Sequence, residues 1–227
     1  AQPGDVVVSL GTSGTAFAVS ETATHDASGA VAGFADATGR FLPLVCTLNA
    51  ARIMDAATKI LGKTHDEVGA LALSATAGAN GLTLLPYFEG ERTPNRPDAT
   101  GVFSGMNLNN SNPADIARAM IEGMLAGLAD AVDSLIALGV NVNRILLIGG
   151  AAKNPAIPTI ASALFGREVL VPPAGEYVAD GAAKQAAWAL LGQMPTWDLG
   201  KVSHHESKAT PHVMDKYRTL RDNTANW

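Results

Sequence analysis

With 227 residues, 47% of them hydrophobic and 16% charged, the chain can build a sizeable core and lies far from disordered compositions. Its net charge of −5 comes with no block of Lys or Arg, which argues against nucleic acid and acidic membranes as partners. The single cysteine, Cys46, excludes an intrachain disulfide and points to a reducing, cytoplasmic setting, and no run of about 18 apolar residues predicts a membrane span.

In chain order, the apolar run Val6–Leu10 meets a polar tetrad, Gly11-Thr12-Ser13-Gly14, and a second apolar run, Ala16–Val19. This predicts strand, tight turn and strand. Ala30–Ala35 and Phe41–Cys46 read as further strands. Residues 49–61 place Ala50, Ile53, Met54, Ala57, Ile60 and Leu61 on one helical face, with Gly62 as the C′ stop. Thr64-His-Asp-Glu67 is a capping box that opens a helix carrying Val68 and Leu71. Gly81–Leu85 is strand-like and stops at Pro86. After a loop at 109–113, Ser111 or Asn112 can cap and Pro113 fits the first helical position. The long helix predicted over 113–138 carries a stripe of Ile116, Met120, Met124, Leu128, Val132 and Leu135. Ala119, Gly123 and Gly127 let a neighbour pack close to it. Arg144–Ile148 is a strand, followed by Gly149-Gly150-Ala151-Ala152-Lys153-Asn154 and, from Pro155, a helix that ends at Gly166. Val169–Val171 is a last strand and residues 179–191 a last, alanine-rich helix. Beyond Gly192 the polar tail looks less regular. The alternation of helix and strand patterns indicates an α/β architecture.

Two turns suggest chemistry. The 11–14 turn points backbone N–H groups and two hydroxyls at one spot, and its glycines allow close approach. That suits an anion, phosphate above all. The alternative is an ordinary hairpin turn whose Thr12 and Ser13 bond their own backbone. The strand, glycine turn and helix around 144–155 have the layout used where a nucleotide lies against backbone, although Gly-x-Gly-x-x-Gly is absent. Other motifs fail. A P-loop ending at Gly62-Lys63-Thr64 would need glycine where Ala57 stands. Gly-x-Ser-x-Gly is absent. The histidines, His25, His65, His204, His205 and His212, have no zinc-like spacing with Cys46, so no metal site is assigned. The His204-His205 pair reads as solvated surface, Asn109-Asn110-Ser111 as a chance sequon, and Asp180 as a favourable charge in a helical first turn. Glu91 and Arg92 read as a solvated loop.

Four segments carry a family resemblance: Ser9–Thr15, Leu85-Pro-Tyr-Phe-Glu-Gly-Glu-Arg-Thr-Pro94, Leu147–Asn154 and Ala179-Asp-Gly-Ala-Ala183. From about residue 3 to about 195 the chain resembles the C-terminal half of the FGGY carbohydrate kinases, and the Gly-Glu-Arg-Thr-Pro string is most similar to their xylulokinase branch. The resemblance implies an actin/hexokinase-like (ribonuclease H-like) α/β domain, a mixed sheet flanked by helices, over residues 1–195. Residues 196–227 would be a polar tail packed on it or extending from it. It further implies an ATP-dependent sugar kinase acting with Mg²⁺, most simply on D-xylulose. Kinases for other polyols or sugar acids such as glycerol and gluconate, or a nucleotide-gated module of the heat-shock ATPase kind, stay open. By the same resemblance, Gly11, Thr12 and Ser13 would contact the terminal phosphates. Gly149 and Gly150 would let the adenosine lie on the main chain, and Asn154 would bond an adenine edge while also capping the helix at Pro155. Asn49 and Arg52 fall near a segment that approaches the nucleotide in the family. The base on the sugar hydroxyl and the sugar pocket would belong to an N-terminal domain absent from this chain, which starts without Met, as a cut inside a longer protein would. No catalytic residue is therefore assigned here, and the whole enzyme could pair as a homodimer.

Overall fold

The computed structural model describes residues 1–198 and 200–227. Its central strand is β1 (Asp5–Leu10), whose continuous β-branched run suits a strand with a neighbour on each side. The 11–13 turn returns it antiparallel into β2 (Gly14–Ala18), with Val7 opposite Phe17 and Leu10 opposite Gly14. On the other side lies β7 (Arg144–Ile148), parallel to β1 and in register from Asp5 with Arg144 to Ser9 with Ile148. The sheet is completed by β3 (Ala32–Ala35), β4 (Phe41–Thr47), β8 (Val169–Val171) and β9 (Ser203–His205), in the order β3-β4-β2-β1-β7-β8-β9. Only the β1–β7 and β7–β8 pairs are parallel, so the sheet is mixed. At the start of β1, Asp5 and Arg144 clamp the parallel pair at 2.5 Å. Burial alone would raise the Asp5 carboxyl, but the Arg144 guanidinium and the Gln2 N–H more than offset it and hold it below its ordinary value.

One face of the sheet, with Val6, Val8, Leu10, Ala16, Ala18, Val45, Ile145 and Leu147, is buried in the main core. Helices α1 (Ala51–Leu61), α2 (His65–Ser74), α3 (Pro113–Ala137) and α4 (Ala156–Phe165) enclose that core. The expected signals operate locally: Gly62 and Gly166 stop α1 and α4 in the left-handed conformation, Thr64 and Glu67 close a capping box on α2, and Asn112 caps α3 ahead of Pro113. Ile60, expected on the inner face of α1, is instead mostly exposed, while its neighbour Leu61 packs against the core. α3 is buried on far more than its predicted stripe, since it lies between the sheet, α2, α4 and the hairpin of β5 (Thr83–Leu85) and β6 (Val102–Ser104). Its charged Arg118 and Glu122 pair at 2.6 Å, and Glu122 also accepts the Gly78 N–H at 3.0 Å.

The tail departs from the irregular stretch read in the sequence. Residues 203–205 add β9 to the sheet, and α6 (Pro211–Asn223) buries Val213, Met214, Tyr217 and Leu220. Tyr217 is hydrogen-bonded to Tyr87, and burial pushes the Tyr87 phenol up to about 12. By contrast, α5 (Tyr177–Leu191) buries no residue. The second face of the sheet, with Phe17, Leu44, Leu146 and Ile148, is half-buried.

Candidate functional site

β1 and β7 are adjacent and parallel, so the turns that follow them emerge side by side at the carboxyl ends of the strands. In open α/β sheets that edge is where ligands bind. Gly149 makes the junction possible. It has φ +103, and a Cβ there would lie 2.4 Å from the Leu10 carbonyl oxygen, so only glycine lets the two strand ends touch. Gly150 differs: a Cβ on it would meet nothing within 4 Å. The chain itself does not require glycine at 150, and the space above that backbone is open.

The 11–14 turn is braced from behind. Gly14 packs so closely that a Cβ would lie 2.6 Å from Thr47 Oγ1 and 2.8 Å from Leu128. The Gly11 carbonyl accepts the N–H of Ala51, the first residue of α1, at 2.9 Å. The turn and the N-terminus of α1 therefore meet. Thr12 and Ser13 are exposed, and among the described residues neither hydroxyl bonds its own turn or any other group. The ordinary hairpin reading, in which those hydroxyls stabilise the loop, lacks its hydrogen bonds.

A short helical turn, Gly150–Lys153, separates two hollows. One, of about 630 Å³, faces β8 and the loop before α5 and includes Val171, Pro172, Tyr177 and His205. The other, of about 330 Å³, runs beside α1 and the start of α2 and is lined by Ala51, Met54, Asp55, His65, Gly150 and Asn154. Ala51 links the second hollow directly to the turn at 11–14. Lys153 lines both hollows, is exposed and has no ion-pair partner among the described residues.

Asn154 is buried. Its Nδ2 donates to the His65 carbonyl at 2.7 Å and its Oδ1 accepts the Ala156 N–H at 3.0 Å, so it caps α4 and ties that helix to α2. Gly69 of α2 makes room for it, since a Cβ there would lie 2.2 Å from Asn154 Oδ1. One amide hydrogen and one lone pair remain uncommitted. Sequence reasoning read Met54 as part of the apolar face of α1, where it is indeed buried, and missed that it also lines a hollow; it missed Lys153, quoted without a role, and the Gly69–Asn154 contact.

The 49–52 and 89–92 segments also meet. Arg52 pairs with Glu89, and Asn49 donates to Gly90 and Glu91. Glu91, read as part of a solvated loop, is 3% exposed, which corrects that reading: three N–H groups converge on its carboxylate and pull it inside. Arg92 is exposed.

The mixed sheet with its two adjacent strand-end turns defines an actin/hexokinase-like α/β domain. Comparison with known proteins narrows this. Residues 6–190 match the C-terminal domain of the FGGY family of carbohydrate kinases, and the chain belongs to that family. A xylulose kinase of Streptomyces coelicolor is 39% identical over 215 residues, 94% of this chain and 42% of that protein. One from Streptomyces rubiginosus is 40% identical over 86% of this chain and 39% of its own length. The crystal structure of xylulose kinase from Bifidobacterium adolescentis superposes with a TM-score of 0.89 at 49% identity, over 97% of this chain and 44% of that one. The chain thus spans about two-fifths of these relatives.

Proposed function

We propose that the full-length protein transfers the γ-phosphoryl group of ATP to a hydroxyl of D-xylulose, and that this chain supplies its nucleotide side. The observation that carries the reading is the pairing of two strand-end turns: one with unpartnered hydroxyls at a helix N-terminus, the other with open space over Gly150. The relatives named above are xylulose kinases, which supports D-xylulose as the sugar.

In this reading the N–H groups of the 11–14 turn and the Thr12 and Ser13 hydroxyls receive the terminal phosphates, with Gly11 leaving room. The purine occupies the 330 Å³ hollow, against Met54 and the Gly150 backbone, with the free amide hydrogen and lone pair of Asn154 at its edge. Gly149 serves by joining the two turns. A phosphate on the turn would take donors fixed before the ligand arrives, which is how such sites stabilise charge that develops during transfer. Mg²⁺ bound together with the phosphates would neutralise part of their charge. The sugar oxygen attacks the γ-phosphorus, the bond to the β–γ bridging oxygen breaks, and a base takes the hydroxyl proton. We assign that base and the sugar pocket to the N-terminal domain.

The test is a coupled ADP-release assay on the full-length protein with D-xylulose, gluconate, glycerol or no acceptor. Turnover dependent on D-xylulose is expected. Preference for gluconate or glycerol would move the protein to another kinase of the family, and acceptor-independent turnover would favour a nucleotide-gated ATPase.

A further inference from the structure

The Glu91 carboxylate grips the segment that supports the phosphate turn. It lies in the loop between β5 and β6, held by its own backbone, whose N–H and C=O both pair with Arg96 at 2.8 Å. Its Oε1 accepts the Leu48 N–H at 2.6 Å and the Arg92 N–H at 2.7 Å, and its Oε2 accepts Asn49 Nδ2 at 2.9 Å. Asn49 Nδ2 also donates to the Gly90 carbonyl at 2.7 Å. Glu91 makes no ion pair among the described residues. Its charge is neutralised by converging N–H dipoles, and charge-assisted bonds of this kind are the strong ones.

Residues 48 and 49 join β4 to α1. Immediately before them, Thr47 pairs in register with Gly14; just after them, Ala51 donates to Gly11. α1 begins without a side-chain cap, because its N-cap position is Ala50. The Glu91 grip on Leu48 and Asn49 anchors the two residues that lead into that uncapped helix start, and so fixes where the α1 N-terminus meets the 11–14 turn.

We propose that Glu91 is a positioning residue of the phosphate subsite: by holding the segment between β4 and α1 it sets the placement of the 11–14 turn, which Thr47 and Ala51 hold from either side, against the incoming anion. The proposal rests on the reading of that turn as the triphosphate site. It predicts a defect larger for the triphosphate than for the purine: Ala51 at the start of α1 is shared with the purine hollow, while Met54 lies a turn further on and Gly150 and Asn154 belong to other elements.

Calorimetric titrations of the full-length protein with the β,γ-imido analogue of ATP, and separately with adenosine, make the test. Glu91→Gln puts an N–H donor against one of the three donors now accepted. It is expected to weaken the ATP analogue about tenfold, the weight of one misaligned charge-assisted bond, with adenosine changed by less than about twofold. Asn49→Ala removes the amide that donates to both Glu91 and the Gly90 carbonyl and is expected to act in the same direction by at least about threefold; it carries the test alone if the Gln variant does not fold. Unchanged affinity for the ATP analogue, or an equal loss for both ligands, overturns the positioning role. Thr12→Val separates the two claims: if it leaves the ATP analogue unaffected, the phosphate reading of the turn itself fails, whatever Glu91 does.

Discussion

Thr12 presents a hydroxyl that the chain does not use, and Gly150 an α-carbon that nothing crowds. Their neighbours are the reverse: Gly14 and Gly149 are glycine because backbone and side chains fill the space a Cβ would need. Function and architecture alternate residue by residue, and substitutions should separate them. Thr12→Val keeps the shape and removes the hydroxyl. In the full-length protein it should lower kcat about a hundredfold, the usual cost of about 3 kcal/mol for one lost donor to transition-state charge, with the thermal midpoint unchanged. Steady-state kinetics and a melting curve check both halves. At the glycine pair, Gly149→Ala should destabilise the fold by about 1–3 kcal/mol, from positive φ and contact with Leu10. Gly150→Val should fold normally and raise the KM for ATP. Denaturant unfolding and ATP kinetics read the two; a Gly150→Val protein with an unchanged KM removes the adenosine from that backbone. The sequence showed both turns but not this division, because glycine looks the same whether it makes room for a ligand or for its own chain.

The elements were most legible where local chemistry decides them. The Thr64–Glu67 capping box, the Gly62 and Gly166 stops and the Asn112-Pro113 start of α3 all formed as read. α6 was missed although Val213, Met214, Tyr217 and Leu220 repeat at helical spacing after Pro211; the surrounding Asp, Lys and Arg masked the stripe. Long-range packing was less visible. Gly123 on α3 was read as a close-approach site, but its partner, the Leu84 carbonyl, lies in β5; a Cβ would come within 2.5 Å of that oxygen. Gly123→Ala gains up to about 1 kcal/mol in helix propensity and loses about 1–3 kcal/mol to overpacking, so net destabilisation is expected in urea unfolding. The clamp of β1 on β7 gives a pH signature. The Asp5 carboxyl is held below its ordinary value of 3.8, so its contribution is complete above that pH and is lost as pH falls through the lower folded value. Asp5→Asn should cost about 1 kcal/mol at neutral pH, discounted for the half-exposed Arg144, and should flatten the fall in thermal midpoint below pH 4.

At the scale of the molecule, strand order is what unites the proposed site. Residues 9–15 and 147–154 are more than 130 positions apart in the chain, yet the parallel β1–β7 register sets Ser9 beside Ile148 and the two turns against each other. Each turn is visible in the sequence, but the pairing that makes them one site is a property of the sheet and of the Gly149 contact. The sheet also leaves a choice between two hollows flanking Gly150–Lys153. Both border the joined turns, the larger through Gly149 and the smaller through Ala51, and the proposed reading places the purine in the smaller, where Asn154 lies. A crystal structure of the full-length protein with Mg²⁺ and the β,γ-imido analogue of ATP tests this most directly. The terminal phosphates should lie within hydrogen-bonding distance of the 11–14 N–H groups and Thr12 Oγ1, with the purine between Met54 and Gly150. A purine seated instead in the larger hollow beside Tyr177, or phosphates held away from the 11–14 turn, would contradict the account.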